Sequence, residues 1–191
     1  MKLNGLLLAL LFVCGVAAAQ TSTFEKGTKV LNLGIGLGGS YYSGSYWTSK
    51  MPLLSASLDV GIVDNVLDKG SIGIGGYVGY SSAKYEETYL GYTFGWKYSD
   101  LLIGPRGTFH YPLVDKLDTY AGLLLGYHIV SAKETGDWAN IPGGGFSANA
   151  SEVYFSGFIG ARYYVSDKFA VMLELGSGNL AAATIGVGIK F

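Results

Sequence analysis

Apolar side chains recur at every second position through most of this 191-residue chain, and glycine, serine and charged residues fill the positions between them. A period of two indicates β-strands whose two faces meet different surroundings. The pattern predicts an all-β protein with eight strands. Their apolar positions lie within residues 31–37, 54–62, 72–80, 101–109, 123–129, 153–163, 171–175 and 185–191.

The connections between these strands alternate in kind. Compact polar turns recur at residues 64–69, 115–118 and 166–169, about 51 residues apart. Longer connections rich in Gly, Ser, Tyr and Trp are predicted at residues 41–50, 83–95 and 131–152, and residues 176–179 form a short last one. Short turns at one end, longer loops at the other and an even strand number are typical of antiparallel barrels that cross a membrane.

The composition of the two strand faces indicates which of them points outward. The face opposite the aliphatic residues carries glycine, serine and charge, which are too small and too polar to form an apolar core. We therefore expect the aliphatic face to contact lipid. Closing an antiparallel sheet into a barrel pairs every backbone N–H and C=O, as strands in a bilayer require. The predicted fold is an eight-stranded antiparallel up-and-down transmembrane β-barrel.

Residues 1–19 have the pattern of a cleaved secretory signal peptide. Lys2 precedes a short apolar run, and three small residues end at Ala19. The barrel is then expected to occupy residues 20–191. Cys14 is the only cysteine and lies in the signal segment, so no disulfide is predicted in the mature chain. The net charge of −1 offers no basic field for a nucleic-acid partner.

Aromatic residues are predicted to form two girdles on the outward face. With the N-terminus on the short-turn side, one set falls at the lower strand ends and another at the upper ends. Amphipathic rings at both membrane interfaces are expected of such barrels. The lower set is Tyr111, Tyr163 and Phe191, and the upper set is Tyr80, Tyr127 and Phe155.

The lumen of an eight-stranded barrel is only wide enough for side chains to fill it. Buried charges are tolerated there when they pair and form hydrogen bonds. The predicted inward polar residues are Asp59, Asp100, Arg106, His110, Arg162, Glu174 and Lys190. Because both signs are present, we predict a polar network that plugs the lumen. The alternative is the selectivity lining of a narrow channel for small or hydrophobic solutes.

Pro105 conflicts with the fourth predicted strand, since proline cannot donate a ladder hydrogen bond. Its position predicts either a bulge or a shift of register there.

A catalytic site is the third alternative, as some small membrane barrels modify lipid. The two histidines, His110 and His128, lie on neighbouring strands but differ in height by about seven residues, roughly 20 Å at strand rise. They cannot act as a pair, and no nucleophile is predicted within reach of either. We predict no catalytic, metal or cofactor site.

The long loops are the predicted carriers of any specific recognition. Rigid aromatic residues among small polar ones suit contact surfaces. The same residues also suit anchoring in lipid headgroups, and the sequence leaves both open. The candidates are Tyr42, Tyr46, Trp47 and Trp138.

Four segments carry a resemblance to a known group. They are "GPRGTFHYPL" (residues 104–113), "YAGLLLGY" (residues 120–127), "FIGARYYVSDKF" (residues 158–169) and the terminal "IGVGIKF" (residues 185–191). Together with the signal peptide and the eight strands, they resemble the small outer-membrane barrels of the OmpA/OmpX-like group, particularly those of Bacteroidetes. The resemblance implies a bacterial outer-membrane location, contact with outer-membrane lipid, and recognition of the strand ending at Phe191 by the assembly machinery. It implies a non-enzymatic role in envelope structure or surface interaction.

Overall fold

Eight β-strands make up nearly all of the chain that the computed structural model describes, residues 23–39, 42, 44–176 and 180–191. The predicted signal segment with Cys14, residues 40, 41, 43 and 177–179, and the side chain of Trp138 lie outside this description. The strands are β1 (Lys29–Leu37), β2 (Ser49–Val66), β3 (Gly70–Tyr89), β4 (Tyr92–Val114), β5 (Leu117–Gly136), β6 (Ser147–Tyr164), β7 (Phe169–Gly176) and β8 (Ala183–Lys190). A single 3-10 turn, Asp137–Asn140, interrupts the described strands.

The strands form one closed antiparallel barrel in sequence order. Each strand pairs with its neighbours along the chain, and β1 pairs with β8 from Val30 opposite Lys190 to Leu37 opposite Ala183. The predicted strand number, antiparallel order and closure are therefore confirmed. Among the described residues, no helix is both long and apolar enough to cross a membrane.

Compact turns join β2 to β3, β4 to β5 and β6 to β7, as the recurring polar segments predict. The two-residue turn before β5 places Lys116 in the left-handed region, with a φ of 63°. These three turns lie at one end of the barrel, the end where the chain enters β1. We refer to this end as the lower end.

The upper end differs from the prediction. The loops expected at residues 83–95 and 131–152 are mostly strand. β3 and β4 stay paired up to Tyr89 opposite Tyr92, and the two-residue turn Leu90-Gly91 joins them. The apolar alternation stops near Tyr80 and Leu101, whereas backbone pairing continues beyond this level up to Tyr89 and Tyr92. Alternation therefore underestimates strand length.

The barrel wall is uneven in height. β6 pairs with β7 only from Phe158 to Tyr164, while its pairing with β5 continues up to Ser147. The upper parts of β3 to β6 thus extend above the wall as a sheet, which we call the protruding sheet (residues 81–100, 130–136 and 147–153). Among the described residues, none pairs with β6 on the β7 side over residues 147–153, and every side chain in that stretch is exposed.

The outward face is aliphatic along the full circumference. Leu33 on β1, Leu123 on β5 and Leu173 on β7 are exposed by 42%, 56% and 46%, values that a core residue of a water-soluble barrel would not show. The prediction that the aliphatic face points out of the barrel is confirmed.

The interior is more apolar than predicted at one level. Leu53, Leu102, Leu124 and Phe158 form a buried cluster with Leu180 and Tyr120 halfway up the lumen. The expectation that the inward set cannot form an apolar core is wrong there, because single large residues between inward glycines are enough to fill so narrow a lumen.

Pro105 causes neither a bulge nor a register error. It lies opposite Gly76, and the β3–β4 ladder keeps its register on both sides. The β4–β5 pairing likewise keeps the same register from Ile103 to Arg106. The bulges in these ladders lie elsewhere, in the β2–β3 pairing and near Pro112.

Candidate functional site

Arg162 of β6 is the centre of a buried polar cluster in the lower half of the lumen. Its Nε and Nη2 lie 2.9 and 2.7 Å from Oδ2 of Asp118 on β5. Its Nη1 donates to Oδ1 of Asn32 on β1 at 3.2 Å and lies 3.4 Å from Oδ2 of Asp59 on β2. The guanidinium, with no solvent exposure, thus joins strands on opposite sides of the barrel.

Arg106 of β4 forms a second ion-pair centre, which lies above Arg162 in the lumen. Its Nε lies 3.0 Å from Oδ1 of Asp59, and its Nη2 donates to Oε2 of Glu174 at 3.0 Å. The Tyr120 hydroxyl donates to the same Glu174 oxygen at 3.2 Å. The guanidinium carbon lies 4.2 Å from the centroid of the Phe158 ring, which closes the cluster from above.

The chain segment before β1 covers the lower side of this cluster. Phe24 is buried, and its ring stacks on the His110 imidazole with centroids 3.7 Å apart. Two backbone hydrogen bonds hold the segment to β2, one from Gly27 to the Gly61 carbonyl and one from Gly61 to the Thr28 carbonyl, both 2.9 Å. A side chain at residue 61 would collide with this segment, since its Cβ would lie 2.0 Å from the Glu25 carbonyl oxygen.

The structure also joins a hydroxyl, an imidazole and a carboxylate, an arrangement that the sequence did not predict. His110 Nε2 lies 2.8 Å from the Thr108 hydroxyl, and Nδ1 lies 2.8 Å from Oδ1 of Asp118. Hydrolases use such a relay to activate a nucleophile. Here all three residues are buried, Phe24 stacks on the imidazole, and Arg162 shares the carboxylate. The chain of hydrogen bonds is consistent with a structural role.

A separate polar cluster lies near the upper end of the lumen. His128 Nε2 lies 2.9 Å from Oδ1 of Asp100, and Nδ1 lies 3.4 Å from the exposed Glu152 carboxylate. The hydroxyl of Tyr42 donates to Oδ2 of Asp100. His110 lies opposite Tyr120 and His128 opposite Leu102, so the two histidines are eight residues apart along the β4–β5 pairing, the separation of positions 102 and 110 on β4.

The predicted inward residues therefore separate into three groups. Asp59, Arg106, His110, Arg162 and Glu174 share the lower cluster, with Asp100 in the upper one. Lys190 approaches the face of the Tyr164 ring, with its Nζ 4.9 Å from the ring centroid. A cavity of about 50 Å³ lies between the two clusters, beside Arg106, Glu174 and the apolar layer.

Sequence reasoning missed Asp118, Asn32 and Phe24 of the lower cluster, and also Tyr120, which donates to Glu174. Asp118 follows a two-residue turn and looked like a turn residue, although its position opposite Arg162 in the register places it inside. Asn32 looked like an ordinary small polar residue of β1. Phe24 precedes the first alternating strand, so no periodicity marked it.

The predicted girdle residues lie on the outward face, with Tyr111, Tyr163 and Phe191 at the lower strand ends. Tyr80, Tyr127 and Phe155 lie in mid-strand rather than at the predicted upper ends, because β3, β5 and β6 extend beyond them. Tyr80, Tyr127, Phe155, Tyr163 and Phe191 are exposed, and Tyr111 is half-buried. The Tyr80 hydroxyl bonds with Ser99 at 3.3 Å, and the Tyr127 hydroxyl bonds with Ser151 at 2.8 Å.

The predicted loop contacts are only partly exposed. Tyr46 is 78% exposed, whereas Trp47 packs edge-on against Tyr42 and Tyr98, with ring centroids 4.9 and 5.7 Å apart. Tyr42 and Trp47 thus support the mouth of the barrel. The described residues contain no group of three or more His, Cys, Asp or Glu arranged to hold a metal ion.

The described geometry is that of the eight-stranded barrels found in bacterial outer membranes. Two solved structures of Ail, the attachment invasion locus protein of Yersinia pestis, are similar to this chain. One, crystallised with the heparin analogue sucrose octasulfate, superposes with a TM-score of 0.52 at 14% identity. The other gives 0.51 at 16% identity, and each match covers 87% of this chain and 99% of Ail. No protein-family model and no curated protein sequence matches the chain.

Proposed function

We propose that this chain is a non-enzymatic integral outer-membrane barrel protein with a plugged lumen, which serves surface interaction through its protruding sheet. Residues 1–19 would be removed on export, and the strand ending at Phe191 would be read by the assembly machinery. The observation that carries the proposal is the distribution of side chains, which is the reverse of that in a water-soluble barrel. Aliphatic side chains cover the outside, whereas charged ones such as Arg162 and Asp59 are buried inside. The likeness to Ail supports this reading at the level of the fold.

Location and orientation are tested together by labelling engineered cysteines. The expected mature chain has no cysteine, so one can be introduced at Leu90 in the upper β3–β4 turn or at Leu67 in the lower β2–β3 turn. Both leucines are highly exposed, by 81% and 75%. A membrane-impermeant maleimide should label Leu90→Cys in intact cells and Leu67→Cys only after lysis. The reverse pattern, or equal labelling, would contradict the proposed orientation.

The plug is tested by conductance. Arg106 and Arg162 join acidic partners from several strands across the lumen, which supports closure to ions. Purified protein in planar bilayers should therefore show no channel openings. The narrow-channel alternative has one supporting observation, the cavity of about 50 Å³ above Arg106. Steady openings of the native protein would favour that alternative and overturn the plug.

The surface role is supported by the open margin of β6. An exposed strand edge offers unpaired backbone groups to an extended segment of another chain. Native barrels blunt such edges with lysine, yet residues 147–153 contain none. If this edge recruits a partner, cells displaying the Ala148→Lys/Ala150→Lys variant should adhere less to cultured epithelial cells than cells displaying the native protein. Equal adhesion, at equal surface display, would remove the edge from the proposal.

A further inference from the structure

Three lysines form one row across the outward face of the protruding sheet. Lys84 of β3 lies opposite Lys97 of β4, and Lys97 lies opposite Lys133 of β5. Ser49 and Ser147 continue the row on β2 and β6. Only the register brings these residues together, since they are far apart in the sequence.

The row lies at a defined height above the upper aromatic girdle. On β4 the outward residues change from Leu101 through Ser99 to Lys97, and on β5 from Ile129 through Ser131 to Lys133. Four residues of a tilted strand correspond to a height of roughly 10 Å. Because Leu101 lies opposite Tyr80 of the girdle, the ammonium groups are placed in the headgroup layer of the outer leaflet.

Like charges directly opposite each other destabilise a sheet. Lys84 is compensated by Glu86 of its own strand, with Nζ 2.6 Å from Oε1. Lys97 and Lys133 are both exposed, and the part of the chain that the structure describes offers neither of them a carboxylate within 4.0 Å. An anion bound from outside the chain would relieve the repulsion between the ammonium groups of Lys97 and Lys133.

Apart from Glu86, which pairs with Lys84, the acidic residues of this sheet point to its other face and do not neutralise Lys97 or Lys133. Glu134 lies opposite Trp96, and its carboxylate accepts the amides of Gly145 and Phe146. Glu87 accepts the Tyr85 hydroxyl at 2.5 Å, and this hydrogen bond raises the pKa of that hydroxyl. Positive charge is therefore concentrated on the face that continues into the lipid-contacting wall.

We propose that Lys97 and Lys133, flanked by Lys84, bind a phosphate group of a phosphorylated glycolipid in the outer leaflet. Two ammonium groups at about 5 Å backbone spacing suit a phosphate monoester, whose charge exceeds one at neutral pH. Ser99 and Ser131 are the next outward residues below Lys97 and Lys133 on β4 and β5. Their hydroxyls can donate to the same phosphate group. The inference rests on the proposed outer-membrane location.

The test compares lipid binding by the native full chain and by the Lys97→Gln/Lys133→Gln variant. Each protein is reconstituted in phosphatidylcholine vesicles doped with bisphosphorylated lipid A or with the same lipid after removal of its phosphates. Lipid retained after detergent extraction is then measured. At about 1 kcal/mol per lysine, each substitution should lower the affinity for the phosphorylated lipid about 5-fold, and the pair about 30-fold. The Lys97→Arg/Lys133→Arg variant should retain binding.

The matched control is Lys116→Gln/Lys168→Gln, which removes two exposed lysines from the lower turns. It should bind the phosphorylated lipid as the native protein does. Equal retention of both lipids by the native chain would overturn the inference, as would equal losses in the two variants. Competition by free inorganic phosphate as strong as that by the lipid would assign the lysines to a soluble anion. Preferential binding of sucrose octasulfate over the lipid would assign them to a sulfated polymer.

The two proposals fail separately. If the native protein does not insert into vesicles, as judged by protection of its strands from protease, the outer-membrane proposal fails first. If it inserts but retains the phosphorylated and the dephosphorylated lipid equally, only the proposed lysine site is contradicted.

Discussion

Arg162 shows at the scale of one residue why the lumen cannot be treated as a list of charges. Its guanidinium contacts Asp118, Asp59 and Asn32 at once, and all of these groups are buried. Removing one member of a buried ion pair leaves the other charge without compensation, which usually costs about 3–5 kcal/mol.

Arg162→Met should therefore lower the free energy of unfolding by about 3–5 kcal/mol, because buried Asp118 loses its arginine partner and Asp59 keeps only Arg106. Urea unfolding in phosphatidylcholine vesicles measures this change. Lys190→Met is the control, since Lys190 contacts the Tyr164 ring rather than the ion pairs of Arg162. A loss below about 1 kcal/mol for Arg162→Met would show that the cluster is hydrated rather than dry.

The outward leucines provide a second test at the scale of one residue, this time of the outer face of the barrel. If the barrel lies in the outer membrane as proposed, Leu33→Arg or Leu173→Arg places a charge in mid-bilayer lipid and should cost about 2–4 kcal/mol. Leu67→Arg is the control, because Leu67 lies in a lower turn and is 75% exposed; it should change stability by no more than about 0.5 kcal/mol. Native-like stability of the Leu33 and Leu173 variants would mean that the barrel wall does not face lipid.

At the scale of elements, the β5–β6 pair shows how glycine makes room for the interior rings. Tyr120 lies opposite Gly160, and Gly122 lies opposite Phe158, so each ring covers a glycine on the neighbouring strand. A Cβ at residue 160 would lie 2.3 Å from the Tyr120 ring. The ring cannot move freely because its hydroxyl bonds with Glu174.

Gly160→Ala should therefore destabilise the barrel by about 1–3 kcal/mol through overpacking. Gly76→Ala is the matched control, as no atom lies within 4 Å of the Cβ it would add. Thermal unfolding of the two variants in the same vesicles compares them directly. Equal transition temperatures would contradict the tight contact between Tyr120 and residue 160.

The segment before β1 is a second element with its own test. Phe24 fills the lower end of the lumen against His110 and lies 5.4 Å from the Arg162 guanidinium carbon. Phe24→Ala should cost about 3–5 kcal/mol, the range for a large buried ring. Phe146→Ala, at a ring 65% exposed, should be nearly neutral in the same urea titration. A neutral Phe24→Ala would mean that the segment only rests on the barrel.

At the scale of the whole molecule, closure joins every strand to two neighbours. The β1–β8 pairing leaves the barrel wall without an open edge over the lower strands. Unfolding then requires many backbone hydrogen bonds to break together, which predicts strong resistance to detergent at low temperature.

The purified protein should therefore migrate differently on detergent gels before and after boiling, because the unboiled barrel stays compact. Identical migration of both samples would contradict a closed and stable barrel. Circular dichroism of the unboiled sample, which should report mainly strand, checks that the difference arises from folding.

The sequence by itself determined the strand number, the antiparallel order and the outward direction of the aliphatic face. These follow from residues close together in the chain, because side chains alternate between the two faces of any strand. Strand length beyond the apolar pattern did not follow, since backbone pairing continues at residues 83–89 after that pattern has ended.

The tertiary structure alone decided which residues meet. Asn32 and Arg162 are 130 positions apart and bond only because the barrel closes. Phe24 enters the lumen from outside any strand, and Lys97 meets Lys133 only through the β4–β5 register. Contacts of this kind depend on shear, closure and register, which are properties of the assembled sheet, whereas alternation is a property of each strand alone.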